Sequence, residues 1–430
     1  MTLAAGAFLG GAAGRLLPAS VPFRYFATAV AYHVLAWLAL LAGARDAPRF
    51  AGGLDWPLAA LHLTTLGVVV MTAIGASLQL LPVATLQPVR AQRWAAALWW
   101  LYTPGVAAVA LGMGLPAPAV LGAGAVAVVA ALLVFAALFA RNLWGAAGMP
   151  VVIAHGWVAW VSLAVALVTA LSLAGTYVGA PALDRRAALA LHVAFAAYGF
   201  MGMLAVGLSC ILVPMFALSE APAERPALAS CVLAAVALVL AGLAAGGVVP
   251  MALRTAAIAA GAVAVALHLA LMQRALRTGM RRDLGRGFLL VRGAWAMLAA
   301  SLALALPVTL ELPVAGIATL FGIALVPGWL LTFLLGMLQR IVPFLASLHA
   351  PRGAGRRPTP SMLTAERPLA IHGYCHAGAL TALCVAAILD SALFAGAAAV
   401  LGAAGAAAFA VFFVTTLRRM RGATAPESRA

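Results

Sequence analysis

The chain has 430 residues, of which 66% are hydrophobic and 8% charged, with a mean hydropathy of +1.10 and a formal net charge of +16. So little polar surface excludes a soluble protein of this size and marks an integral membrane protein. The positive charge does not point to nucleic acid, because all of it is arginine and most arginines sit in short connections between apolar stretches, where they set topology.

The first twenty residues, MTLAAGAFLGGAAGRLLPAS, lack the basic segment that precedes a signal peptide's apolar core, and read as a retained, interfacial segment. A bilayer core needs about 20 apolar residues per helix. Twelve such spans follow, at 22–43, 56–83, 94–115, 117–140, 150–178, 187–217, 226–248, 251–273, 287–309, 313–345, 368–389 and 391–416. Arg, Asp or Pro–Gly clusters separate them. The region 346–367 is a cytoplasmic loop. Alanine dominates the spans, which suits close helix packing in lipid, and the alternation of a β-barrel strand is absent. Cys210, Cys231, Cys375 and Cys384 all fall inside apolar spans, which is no place for a secreted-type disulfide.

Arginine placement orients the bundle. Only Arg45, Arg49, Arg185, Arg186 and Arg254 lie in odd-numbered connections, and Arg292 lies early in the ninth span. The others lie at the termini and in even-numbered connections, so both termini are expected in the cytoplasm. The patches QRALRTGMRRDLGR and PRGAGRRPTP are read as topology signals and contacts for anionic lipid.

Three strings share one pattern. GASLQLLPV (75–83), GLSCILVPM (207–215) and GMLQRIVPF (336–344) each place a glycine seven residues before a proline, and each is expected to end every fourth helix at its cytoplasmic side. The chain thus reads as three four-helix units of about 20–141, 150–275 and 286–418 within a single membrane domain, and sites in repeat-built membrane proteins tend to sit where repeats meet. Upstream of the glycine stand His62 in the first unit and His192 in the second, but Phe321 or Ile323 in the third.

Twelve spans, three four-helix arcs and a second helix reading HLTTLGVVVMTAIGASLQLLPV (62–83) resemble subunit I of the heme-copper oxidases. The resemblance implies that His62 ligates a low-spin heme and that His192, in LHVAFAAYGF, stands at the place of the family's helix-6 copper ligand. Other ligands of the family have no counterpart here. The seventh span, PALASCVLAAVALVLAGLAAGG, and the apolar length of the tenth contain no histidine, and the helix-6 tyrosine position is Ala196, with Tyr198 the nearest tyrosine. Without a complete binuclear centre, oxygen reduction is not expected. HLTTLGVVVMT is also similar to a His-Leu-x-Thr-x-Gly-x-x-x-Met-Thr pattern of NnrS-type proteins, stand-alone bacterial relatives linked to nitric oxide stress.

An intramembrane histidine is costly unless paired, hydrated or ligated. His62 and His192 are therefore candidate cofactor ligands, imidazole being the usual protein ligand of heme iron. His372, Cys375 and His376 of IHGYCH share one helix face and form a candidate copper or zinc site. His33, His155 and His268 are assigned to helix–helix hydrogen bonding, and His349 to the cytoplasmic loop. Pro327, inside the tenth span, is expected to kink it and free a backbone carbonyl beside a cofactor.

All ten acidic residues lie in connections or near span ends, which argues against a proton pump or proton-coupled carrier. The expectation is an all-α, twelve-helix protein of a bacterial inner membrane that binds heme, copper or both. It would serve electron transfer, nitric oxide or small-gas response, or metal handling, beside a redox partner or second membrane subunit. The alternative is a twelve-helix transporter of a small solute without a cofactor.

Overall fold

The computed structural model describes residues 17–87, 92–245, 251–351 and 358–422. The interfacial reading of the N-terminus therefore lies outside the described residues, except at its last four positions, as do most of PRGAGRRPTP and the final eight residues. Among the described residues there are twelve helices long and apolar enough to span a membrane. They are α1 Ser20–Ala42, α2 Trp56–Ala84, α3 Arg93–Gly114, α4 Pro118–Trp144, α5 Pro150–Val178, α6 Arg185–Ala217, α7 Glu224–Ala245, α8 Ala252–Thr278, α9 Gly285–Thr309, α10 Ile317–His349, α11 Glu366–Leu389 and α12 Ala392–Gly422. The chain is a multi-pass, all-α membrane protein.

All twelve spans stand within a few residues of their expected places, with a longer end where arginines continue the helix, as at Arg418, Arg419 and Arg421. The loop expected at 346–367 is shorter than that. Its first four residues belong to α10, a short helix forms at Pro360–Leu363, and α11 begins at Glu366. His349 is the last residue of α10, not a loop residue, and its ring nitrogens lie 2.9 Å from the Leu345 carbonyl and 3.1 Å from that of Leu17.

Consecutive helices pair tightly as α3 with α4, α7 with α8 and α11 with α12, while α1, α5 and α9 pack along α2, α6 and α10. The bundle closes on itself where α12 packs against α1. There Gly402 lies against the indole of Trp37, so close that a side chain of any size would overlap the ring. An ion pair between Arg49 and Asp390 joins the α1–α2 and α11–α12 connections at the same end.

The most enclosed spans are α2 and α6. Together with α10 they share an irregularity, a stretch of wide, π-helical turns at Leu63–Val70, Ala194–Gly202 and Ala324–Leu331. The wide stretch of α10 packs against those of both α2 and α6. Such turns are rare, insert an extra residue into a helix and are frequent at functional sites.

The glycines of the three repeated strings mark helix crossings. A β-carbon on Gly75 would lie 2.7 Å from Cβ of Tyr25 in α1, one on Gly207 would lie 2.7 Å from Cβ of His155 in α5, and one on Gly336 would lie 3.2 Å from Cβ of Leu290 and 2.6 Å from the Gly287 carbonyl in α9. A second glycine, not singled out by the sequence pattern, stands eight residues earlier in each helix. Gly67 faces Tyr32, Gly199 faces Ser162 and Gly328 faces Met297. On the straight partner helices the contacted residues are seven apart (25 and 32, 155 and 162, 290 and 297). Seven residues are two α-helical turns. The eighth residue on α2, α6 and α10 is the one the wide turn inserts.

The prolines behave less uniformly than expected. In α2 and α6 the carbonyls of Pro82 and Pro214 accept from the N–H five residues on, at 3.0 Å each, and Leu86 and Leu218 turn left-handed (φ 58° and 55°) to end the helix. In α10 the helix continues past Pro343 to His349, so the third string is not a helix end.

Candidate functional site

The two helices that carry the candidate heme ligands start alike. Asp55 accepts from the Trp56 N–H at 2.6 Å to open α2, and Asp184 accepts from the Ala187 N–H at 3.0 Å to open α6. These caps satisfy orphan helix donors and set the depth of the histidine two turns later. The corresponding start of α10 has Gly316 in a left-handed conformation and no side-chain cap, and it carries no histidine.

His62 Nδ1 lies 3.0 Å from the Leu58 carbonyl, and His192 Nδ1 lies 3.2 Å from the Ala166 carbonyl and 3.4 Å from Thr169 Oγ1. A carbonyl only accepts, so Nδ1 carries the proton in both neutral rings and Nε2 keeps its lone pair. A ring held by a carbonyl at Nδ1 with Nε2 free is the arrangement seen in metal-ligating histidines, so this pair fits iron or copper in donor chemistry. It does not reproduce a full heme-copper ligand set. Among the described residues no three His, Cys, Asp or Glu side chains are grouped to hold one metal ion.

The wide turns begin one residue after His62, at Leu63, and two residues after His192, at Ala194. Further along, the interior is filled by side chains. Trp329 of α10 stacks on Tyr198 of α6 with ring centres 5.6 Å apart, and Tyr198 donates to Ser301 Oγ of α9 at 2.9 Å. Pro327 lies inside the wide stretch of α10, and its own carbonyl accepts from Thr332 Oγ1 at 2.7 Å.

The IHGYCH face separates into its members. His372 and His376 are buried and stacked, with ring centres 5.5 Å apart. Cys375 is only partly buried and turns toward α12, where its Cβ lies 3.1 Å from the position a β-carbon on Gly405 would take. The structure adds a member that sequence spacing did not indicate, His33 of α1, whose ring centre lies 6.1 Å from that of His372. The helix–helix hydrogen bond expected of His33 does not form, and both of its ring nitrogens are buried without a partner. The one available signal was its position as a lone imidazole in mid-span. His155 of α5 and His268 of α8 are both buried. His155 Nδ1 is 2.7 Å from the Val151 carbonyl and its Nε2 is buried without a partner.

At the arginine-rich end, a cleft of about 360 Å³ opens between the starts of α1 and α3, lined by Arg24, Tyr25 and Arg93 among others. Arg24 sits over the Trp99 ring at 5.2 Å, and Arg93 over Trp94 at 5.8 Å.

No family model and no curated protein sequence matches the chain. Among solved structures, a heme-copper terminal oxidase determined by cryo-electron microscopy as a dimer is similar with a TM-score of 0.65, over 96% of this chain and 86% of that one, at 14% sequence identity. The twelve-helix architecture is therefore that of a heme-copper oxidase chain.

Proposed function

We propose that this protein binds heme, copper or both in a bacterial inner membrane, with both termini cytoplasmic, and serves electron transfer, nitric oxide or small-gas response, or metal handling, and not oxygen reduction. One observation carries the reading. His62 and His192 stand near the starts of the two most enclosed helices, each with Nδ1 tied to a carbonyl and Nε2 left as a lone pair. Within an apolar bundle two such imidazoles have little other use. A heme held there would supply one-electron or gas-binding chemistry. The chain's own part is to orient the rings through Leu58 and Ala166 and to keep water out with the packed interior around Trp329 and Tyr198. The similarity to a terminal oxidase and the HLTTLGVVVMT string support the same reading, the latter toward an NnrS-like role. Three four-helix units (20–141, 150–275 and 286–418) belong to the proposal, supported by the glycine register that recurs in α2, α6 and α10. So does a redox partner or second membrane subunit that completes the ligand set.

The test is an absorbance spectrum, oxidised and reduced, of detergent-purified protein, with iron and copper counted on the same sample. A Soret band that His62→Ala removes or shifts, in protein that still inserts, is the expected result. A colourless protein expressed with ample heme would overturn the heme half. The competing reading, a solute transporter, draws on the absence of a three-donor metal group among the described residues and predicts flux in proteoliposomes without any chromophore.

A further inference from the structure

We propose that His33 and His372 form a two-coordinate Cu(I) site inside the bundle, between α1, α11 and α12. This deepens the copper half of the cofactor reading and is independent of heme at His62 and His192.

Burial and orphaned nitrogens carry the argument. His33 is 1% exposed and His372 0% exposed. Both ring nitrogens of His33 and Nε2 of His372 are buried without a hydrogen-bond partner. A buried polar atom left unpaired costs about 1–3 kcal/mol, and an ion shared by the two adjacent rings would satisfy two of the three orphan nitrogens, one on each ring. His372 is already oriented for ligation. Its Nδ1 donates to the Gly405 carbonyl at 3.1 Å, which leaves Nε2 as the lone pair and supplies the carbonyl that commonly backs a ligating imidazole.

The separation fits one ion. A metal–imidazole bond of about 2 Å puts a ring centre roughly 3 Å from the metal, so two rings in near-linear coordination have centres about 6 Å apart. The observed separation is 6.1 Å, with the rings 75° apart in plane. The walls are fixed. Phe409 of α12 lies 5.0 Å from His372 and 6.3 Å from His33, ring centre to ring centre. His376 stacks on the other side of His372, at 29° between planes, and is itself anchored, its Nε2 2.7 Å from Thr332 Oγ1. Because the Thr332 hydroxyl donates to the Pro327 carbonyl, its oxygen accepts from His376, and that proton occupies the His376 Nε2.

Donor chemistry selects the ion. Two neutral imidazoles are available, with no carboxylate or thiolate, and no third His, Cys, Asp or Glu completes a group among the described residues. Zinc is almost always four-coordinate in protein sites. Cu(I), a closed-shell monovalent ion, accepts linear two-coordination, and imidazole suits copper. Its single charge also costs less to bury than a divalent ion's, because the solvation penalty rises with the square of the charge. The site replaces the His372–Cys375–His376 donor set with one that leaves Cys375 out.

The test is anaerobic Cu(I) titration of the full-length detergent-purified protein against a coloured competing chelator, with copper X-ray absorption on the loaded sample. One Cu(I) per chain is expected, with a two-coordinate edge, two nitrogen neighbours and no sulfur. His33→Leu and His372→Leu should each weaken binding at least about 100-fold, beyond what loss of an outer partner does, whereas Cys375→Ser should leave it unchanged. No Cu(I) uptake by the wild type, unchanged affinity in both leucine variants, or a sulfur neighbour in the absorption spectrum overturns the proposal. If the leucine variants do not elute as monodisperse protein, the wild-type spectrum decides alone. The Soret band of the same sample reports on the heme reading separately.

Discussion

Gly75 of α2 and Tyr25 of α1 meet so closely that a β-carbon on the glycine would lie 2.7 Å from Cβ of the tyrosine. The contact places Tyr25 so that its hydroxyl donates to the Ala95 carbonyl of α3 at 2.6 Å, and one glycine thus sets the spacing of three helices. Gly207 against His155 and Gly336 against Leu290 occupy the same position in the other two inner helices.

Gly75→Ala and Gly207→Ala should therefore each cost about 1–3 kcal/mol, the usual penalty of overpacking. Gly293→Ala in α9, where a β-carbon would meet nothing within 4 Å, should cost nothing. Gel filtration of a fluorescent fusion after heating would measure this. Equal melting of the three variants would show that the crossings are loose.

Thr332 joins α10 to α11 by accepting from His376 while donating to the Pro327 carbonyl. Thr332→Val should strand the His376 proton at a cost of about 1–3 kcal/mol, and Thr332→Ser should restore the wild-type melting temperature. A valine variant as stable as the serine one would show that His376 finds another acceptor.

The Arg49–Asp390 pair bridges two connections, but its side chains are 83% and 38% exposed. Exposed ion pairs contribute about 0–1 kcal/mol and are screened by salt. Asp390→Asn should lower thermal stability slightly at low salt and not at all at high salt. A large, salt-independent loss would mean that the pair organises the end of the bundle.

Asp184 opens α6 by accepting from the Ala187 N–H, two turns before His192. Asp184→Ala should cost about 1 kcal/mol, and if His192 ligates a cofactor it should also broaden the optical band by loosening the ring. Asp184→Asn should restore both. A stability loss with an unaltered band would separate the cap from the site.

The sequence by itself determined the membrane class, the twelve spans and their limits, and the histidines worth testing, because hydropathy, charge and the cost of an intramembrane imidazole are properties of short stretches read one at a time. The Gly-x6-Pro strings were legible for the same reason, though their continuation at Pro343 was not. Tertiary structure decided what depends on register and on distant partners. The shared register of Gly67, Gly199 and Gly328 with the later glycines is hidden in the sequence because a spacing of eight belongs to no regular helix, and becomes two turns only when a wide turn inserts a residue. Spacing puts Cys375 on one face with His372 and His376, whereas it is the packing of α1 on α12 that brings His33, from the other end of the chain, beside His372. Which nitrogen of His372 is free was set by the Gly405 carbonyl, a backbone group whose position no pattern of side chains encodes.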